Sequence, residues 1–299
     1  MYNELNAILP QSIMKFNEPM KEHTTFKIGG PVDVMVMPKS IEELQTIITT
    51  CASKHFPYIV FGLGSNILVR DKGYRGIAIK LGNSLKTIQI TDNQIYCEAG
   101  IRLSELSRKS ADSGLSGLEF AEGIPGSLGG AIVMNAGAYD GEMKNVITSV
   151  QAISPQGEIR TFNSSELEFS YRHSIFQANG FIVVSALMKL KYDSINAIKN
   201  KMREFARQRR EKQPLEFPSA GSIFRRPEGF YVGPMIEKMG LKGYRIGGAE
   251  VSAKHAGFII NIGDAAASDV IQLIKYIQEK ALNQYGVNLQ PEIVIIGDE

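Results

Sequence analysis

The chain has 299 residues, 43% of them hydrophobic and 21% charged, enough for a sizeable core and near the size at which one core divides. Its 33 basic and 31 acidic residues leave a net charge of +2, which argues against the long Lys/Arg stripe of a nucleic-acid or membrane-surface binder. The two cysteines, Cys51 and Cys97, form no CxxC pair, and with only four scattered histidines they argue against a zinc site and fit a reducing cytoplasm. The opening MYNELNAILPQS has no basic-then-apolar signal pattern, and no stretch reaches the roughly 18 apolar residues of a membrane span.

The first clear element is a helix beginning at Ser40. Ser40 and Glu43 have capping-box spacing, and Ile41, Leu44, Ile47 and Ile48 share one stripe. The helix ends near 55–57, before a short apolar strand at 58–61 and the glycine loop GLGSN. Residues 67–69, 77–80, 85–90 and 95–98 are predicted as short strands separated by Gly, Asn and Asp turns. A helix near 104–111 stops before Gly114, and a second glycine loop follows. A hairpin is expected at 146–153 and 158–162, then a strand at 181–190. Beyond Tyr192 the pattern changes. Ser194 opens a long basic helix that ends before Pro214, and an irregular stretch rich in Pro, Gly and Phe follows. An amphipathic helix over 268–285, stopped by Gly286, and a strand over 288–296 complete the chain. The pattern is that of an α+β protein. A cofactor region covers 1–190, in lobes of about 1–80 and 81–190, and a smaller region, 191–299, completes the site. The stretch 288–299 has the option of packing back on the cofactor region.

The strongest chemical signal is the pair of glycine loops. Successive backbone N–H groups bind phosphate well, and glycine lets the chain bend and approach the anion. Gly62-Leu63-Gly64-Ser65-Asn66 follows a strand, but the next residues, Ile67 to Asp71, are strand and turn rather than helix. That excludes a Rossmann fingerprint, and neither loop has the Gly-Lys-Ser/Thr ending of a P-loop. The second loop is Gly123-Ile124-Pro125-Gly126-Ser127-Leu128-Gly129-Gly130, followed shortly by Asn135-Ala136-Gly137-Ala138. One such loop alone would be read as tight turns; two, each with Ser or Asn beside the glycines, favour an anionic dinucleotide.

Together with Thr25-Phe26-Lys27-Ile28-Gly29-Gly30, these loops resemble the FAD-binding fold of the p-cresol methylhydroxylase type. In order and across nearly the whole chain, the motifs are similar to those of the UDP-N-acetylenolpyruvoylglucosamine reductase family. The resemblance implies that both loops and residues 135–138 line non-covalent FAD, with NADPH as reductant. It also implies a separate α+β substrate-binding domain and cytoplasmic action on a small UDP-sugar, with no nucleic acid, membrane or obligate protein partner.

The same resemblance assigns the chemistry. Tyr171-Arg172 matches the family's YR motif, whose arginine faces the substrate carboxylate; read from its spacing alone, Arg172 would be a surface arginine. A planar, always-charged guanidinium suits a bidentate carboxylate contact and an enolate as it forms. Ser222, in Ala220-Gly221-Ser222-Ile223-Phe224, matches the family's proton donor, where a turn serine is the plain alternative. Glu292 shares a strand face with Val294 and Ile296, so its carboxylate must lie at the strand end or be partnered. It matches the glutamate that supports the enol, and a structural ion pair is the alternative.

In the basic helix, Lys199, Arg203, Arg207 and Arg210 form a solvated stripe, whereas Arg209 falls on the apolar side with Ile198, Met202 and Phe205. Arg209 and Lys212 resemble the family's diphosphate contacts. Arg226 stands where the family often has asparagine, and the chain is the shorter family form, without room for the extra tyrosine loop. His255 is a candidate substrate contact in its place. The reaction implied is NADPH-dependent, FAD-mediated reduction of the enolpyruvyl ether. The alternatives are another flavin oxidase or dehydrogenase of the same fold and a non-enzymatic nucleotide-sugar sensor.

Overall fold

The structure, a computed structural model, describes residues 14–82 and 84–299; most of the opening segment and Asn83 lie outside them. The chain forms two compact units. One collects residues 14–16, Val34–Leu63 and Gly76–Gln208, and the other Asn17–Asp33, Gly64–Arg75 and Arg209–Glu299. This differs from a single break near residue 190. The reason lies in the apolar residues of the short N-terminal stretches: Phe26, Ile28 and Leu68 are buried in the same core as the C-terminal helices and strands.

The first unit holds a five-stranded antiparallel sheet in the order Ile159–Asn163, Ile147–Ile153, Ile182–Lys189, Gln94–Glu98, Ile88–Thr91. Its Val150, Ala152, Ala186 and Met188 share a core with Leu103 and Leu106 of the helix Leu103–Asp112 and Leu128 and Ile132 of the helix Leu128–Val133. A second core places Leu44, Ile47, Ile48 and Cys51 of the helix Ile41–Lys54 on Val34, Val36, Ile77 and Ile79. Each such aliphatic side chain contributes about 1.5–3 kcal/mol by leaving water. Ser40 caps this helix as predicted, its Oγ accepting from Glu43 N at 3.2 Å. The reciprocal arm reaches one residue further back, with Lys39 N donating to Glu43 Oε2 at 2.8 Å. Burial pushes the Cys51 thiol up to about 11 and the Cys97 thiol up to about 12, so neither is a thiolate at neutral pH.

In the second unit the stretch expected to be irregular folds as a four-stranded antiparallel sheet, in the order Ser219–Ser222, Phe258–Asn261, Ala249–Val251, Arg245–Ile246. All four residues of Phe258–Asn261 are buried, which removes the alternation that would have marked a strand. Val270, Leu273, Ile274 and Ile277 of the helix Ala267–Tyr285 pack in the same core as Met235 and Ile236 of the helix Val232–Lys238. The Asp71 carboxylate accepts from Ala267 N at 2.6 Å and Ser268 N at 3.0 Å, capping the long helix.

The C-terminal strand is shorter than predicted, Val294–Ile296, and pairs in parallel with Ile67–Val69. Pro291 has no N–H for a ladder and makes only an isolated bridge to Phe224. The strand predicted over 85–90 is also displaced, to Ile88–Thr91, because Leu85 is buried in the core and its carbonyl accepts from Gly100 N. Among the described residues, no helix is long and apolar enough to cross a membrane.

Candidate functional site

Among the described residues, the five backbone N–H groups from Gly62 to Asn66 donate to no protein acceptor, as a loop built to receive an anion requires. Leu63 and Ser65 are half-buried. Gly64 has φ +66°, and a Cβ there would lie 2.2 Å from the His23 carbonyl oxygen. A Cβ on Gly62 would lie 2.0 Å from Ser127 Oγ, so the two loops meet where only glycine fits. Gly62→Ala is therefore expected to lower stability by about 1–3 kcal/mol, and Ser127→Gly in the same chain should restore most of the loss. Thermal melting of the single and double variants checks this.

The second loop is held from beneath. Ile124 N donates to Ala121 O, Leu128 N to Ile101 O and Gly129 N to Ala99 O, and Gly126 O accepts from Leu103 N. Gly123, Pro125 and Gly130 are exposed, and Ser127 Oγ accepts from Gly130 N at 3.5 Å. Residues 135–138 serve the framework. The Asn135 side chain is fully buried, donating to Glu142 Oε2 at 2.7 Å and Ser170 O at 3.0 Å while accepting from Lys144 N at 3.0 Å. Ala136 O accepts from Met143 N, and Gly137 and Ala138 pair with Glu142 and Gly141. Any contact of Asn135 with a ligand is thus left to its backbone.

Asn135 also anchors the loop that presents Arg172. Ser170 and His173 exchange backbone hydrogen bonds of 3.2 Å, and Gln177 Nε2 donates to Arg172 O at 2.9 Å. Between them Arg172 takes φ +53°, a left-handed conformation costing an L-residue about 1–2 kcal/mol. Its half-buried guanidinium lies 5.1 Å from the ring centroid of exposed Tyr171 and donates to Gly137 O at 3.3 Å. Sequence reasoning missed two supports here. Gln177 is one. The other is Tyr139, at the tip of the 137–142 hairpin, whose ring stacks on Phe205 with centroids 4.3 Å apart. Two consecutive positive-φ residues, Tyr139 and Asp140, make a hairpin turn that Asn-Gly would have advertised but Tyr-Asp does not.

In the second unit, Ser222 ends its strand opposite Phe258, and Glu292 N donates to the carbonyl of neighbouring Ile223 at 2.7 Å. Glu292 is half-buried, and its own carbonyl accepts from Asn66 Nδ2 at 3.1 Å. Ser222, Glu292 and the end of the first glycine loop therefore lie together. His255 joins them across Gly257. A Cβ on Gly257 would be 3.5 Å from Ser222 Oγ and 2.9 Å from His255 Cε1. Gly257 N donates to His255 Nδ1 at 3.1 Å, which places the neutral ring's proton on Nε2. Burial, with some help from Lys242, lowers the imidazole pKa below its ordinary value. Arg209 is only 6% exposed, whereas Lys212 is exposed at the helix end. Arg226 is exposed, with its guanidinium 4.4 Å over the Tyr231 ring.

Two family models match the chain: an FAD binding domain over residues 32–163 and the C-terminal domain of UDP-N-acetylenolpyruvoylglucosamine reductase over residues 213–296. The reductase of Syntrophomonas wolfei is 60% identical over 299 residues, covering 100% of both chains. That of Caldanaerobacter subterraneus is 47% identical, over 100% of this chain and 99% of its own. The solved structure of the reductase from Thermus caldophilus superposes with a TM-score of 0.81 at 35% identity, covering 94% of this chain and 97% of that one. The fold is thus α+β, with the FAD-binding fold of the p-cresol methylhydroxylase type, and the chain belongs to the UDP-N-acetylenolpyruvoylglucosamine reductase family.

Proposed function

We propose that Arg172, Ser222 and Glu292 carry out the family's reaction in this chain. The chain is an FAD-dependent oxidoreductase that reduces UDP-N-acetylenolpyruvoylglucosamine, with NADPH as reductant, to UDP-N-acetylmuramate for peptidoglycan synthesis. Among the described residues, the N–H groups of Gly62 and Leu63, with those of Gly123, Gly126 and Ser127, donate to no protein acceptor and fit the cofactor's pyrophosphate. When bound, FAD supplies the hydride that the vinyl β-carbon receives.

The protein's share is charge and proton management. Arg172 binds the substrate carboxylate and holds the negative charge that builds on it as the α-carbon becomes an enolate. Ser222 gives its hydroxyl proton to that α-carbon. Glu292 supports the enol beside the serine. Buried Arg209 and exposed Lys212 bind the diphosphate, and Tyr171, Arg226 and His255 complete substrate recognition. With Nδ1 occupied by Gly257 N–H, His255 acts as a neutral Nε2–H donor. The chain acts in the cytoplasm.

The observation that carries this reading is the Glu292 N to Ile223 O bond, which sets the backbone of residue 292 beside the serine strand, with Asn66 fastened to the Glu292 carbonyl. FAD-loaded protein given NADPH and the enolpyruvyl substrate is expected to form a product heavier by two hydrogens, identified by mass spectrometry. NADPH consumption tied only to oxygen uptake, with substrate recovered intact, would instead mark an oxidase.

A further inference from the structure

The first glycine loop is fastened from both sides. On one side Thr25 N donates to Gly64 O at 3.0 Å, and Thr25 Oγ1 donates to Ser219 O at 2.7 Å, at the start of the strand that ends in Ser222. On the other side Asn66 Nδ2 donates to Glu292 O at 3.1 Å, and Asn66 O accepts from Val294 N at 2.9 Å. Glu292 N closes the circuit by donating to Ile223 O at 2.7 Å. A loop that grips a pyrophosphate does so with backbone N–H groups, and among the described residues those of 62–66 have no protein acceptor. The Asn66 amide nitrogen and the Thr25 hydroxyl are instead committed to the protein, one to Glu292 and one to the serine strand.

We infer that Asn66 and Thr25 are positioning residues for the protonation step: through their side chains, the loop that holds the cofactor also sets Glu292 and Ser222. This rests on the roles proposed above for that pair. The bonds are few and direct: one amide hydrogen bond on the Glu292 side, and on the serine side a Thr25 hydroxyl that reaches Ser219 O at 2.7 Å and Gly64 O at 3.5 Å, so the two links can be cut separately. A misplacement of about 1 Å in a reacting group costs about 10²-fold in rate. Cutting either link should therefore appear in the step that uses Ser222 and Glu292, and not in reduction of the saturated cofactor.

The test uses the full-length protein saturated with FAD, comparing Asn66→Ala, Thr25→Val and Thr25→Ser with the wild type. Stopped-flow absorbance follows NADPH reduction and, separately, anaerobic reoxidation by the enolpyruvyl substrate. At FAD saturation, the reduction rate of Asn66→Ala and Thr25→Val should stay within about threefold, while reoxidation slows by about 10- to 100-fold. Thr25→Ser keeps the hydroxyl and should recover most of the Thr25→Val loss. Three results would overturn the inference: weaker FAD binding with normal reoxidation at saturation, equal slowing of both half-reactions, or Thr25→Ser as slow as Thr25→Val. Pre-reduced wild type that the substrate fails to reoxidise would remove the underlying reading, and this inference with it.

Discussion

Ser222→Ala is expected to fold, bind FAD and accept electrons from NADPH normally, yet to reoxidise with substrate about 10²–10⁴-fold more slowly than the wild type. The magnitude is that of a positioned side chain transferring a proton in the transition state. The fold should tolerate the change. Ser222 is half-buried at the end of a short strand, its backbone held by the pairing with Phe258, and among the described residues no hydrogen bond of its hydroxyl supports the framework. Loss of one such hydroxyl costs about 0.5–1.5 kcal/mol at most. Stopped-flow absorbance separates the two half-reactions. Reoxidation within about threefold of wild type would remove Ser222 as the proton donor.

The second large effect is expected at Arg172. Arg172→Lys keeps the charge and keeps a Cβ at φ +53°, so the backbone strain is unchanged and the variant isolates the guanidinium. Lysine offers a point charge in place of a planar fork, and it cannot reproduce a bidentate carboxylate contact. The expected loss in the substrate half-reaction is about 10²–10³-fold, the cost of removing one preorganised donor at a developing oxyanion. KM for the enolpyruvyl substrate should rise as well, because the same contact binds the ground state. NADPH reduction should be unaffected. An unchanged oxidative half-reaction with slowed NADPH reduction would move Arg172 from the substrate to the nicotinamide.

The sequence already located the elements whose pattern is local. Ser40 and its stripe predicted the helix Ile41–Lys54, and the basic helix and the final amphipathic helix fall within a residue or two of their predicted starts. The sheet of the second unit was hidden because its central strand is buried on both faces and its outer strand has only two residues. The helix Leu128–Val133 was hidden within the glycine loop itself, since Gly129 and Gly130 read as turn residues. The division into units could not be read from composition. It depends on Phe26, Ile28 and Leu68 filling a core formed mainly by residues beyond 220, a long-range fact with no local signature.

The site was legible in a different way. The glycine loops announced an anion by their chemistry, but Arg172, Ser222 and Glu292 stood out only through resemblance, since their spacing alone is ordinary. Asn66 and Asn135 look alike as amides beside glycines, yet the structure separates them. Asn135 is fully buried and occupied by Glu142, Ser170 and Lys144, whereas Asn66 is half-buried and reaches Glu292. Buried polar side chains must find partners, but nothing in the sequence names the partners. Arg209 shows the opposite case: its spacing put it on the apolar side of the helix, and the structure buries it.

The most direct measurement is anaerobic reoxidation of the reduced wild-type protein. FAD-loaded protein is titrated with NADPH until the flavin absorbance is bleached, and the enolpyruvyl UDP-sugar is then added without oxygen. The account predicts that the absorbance returns fully, with one equivalent of UDP-N-acetylmuramate formed for each flavin reoxidised. Flavin that stays bleached until air is admitted would contradict it.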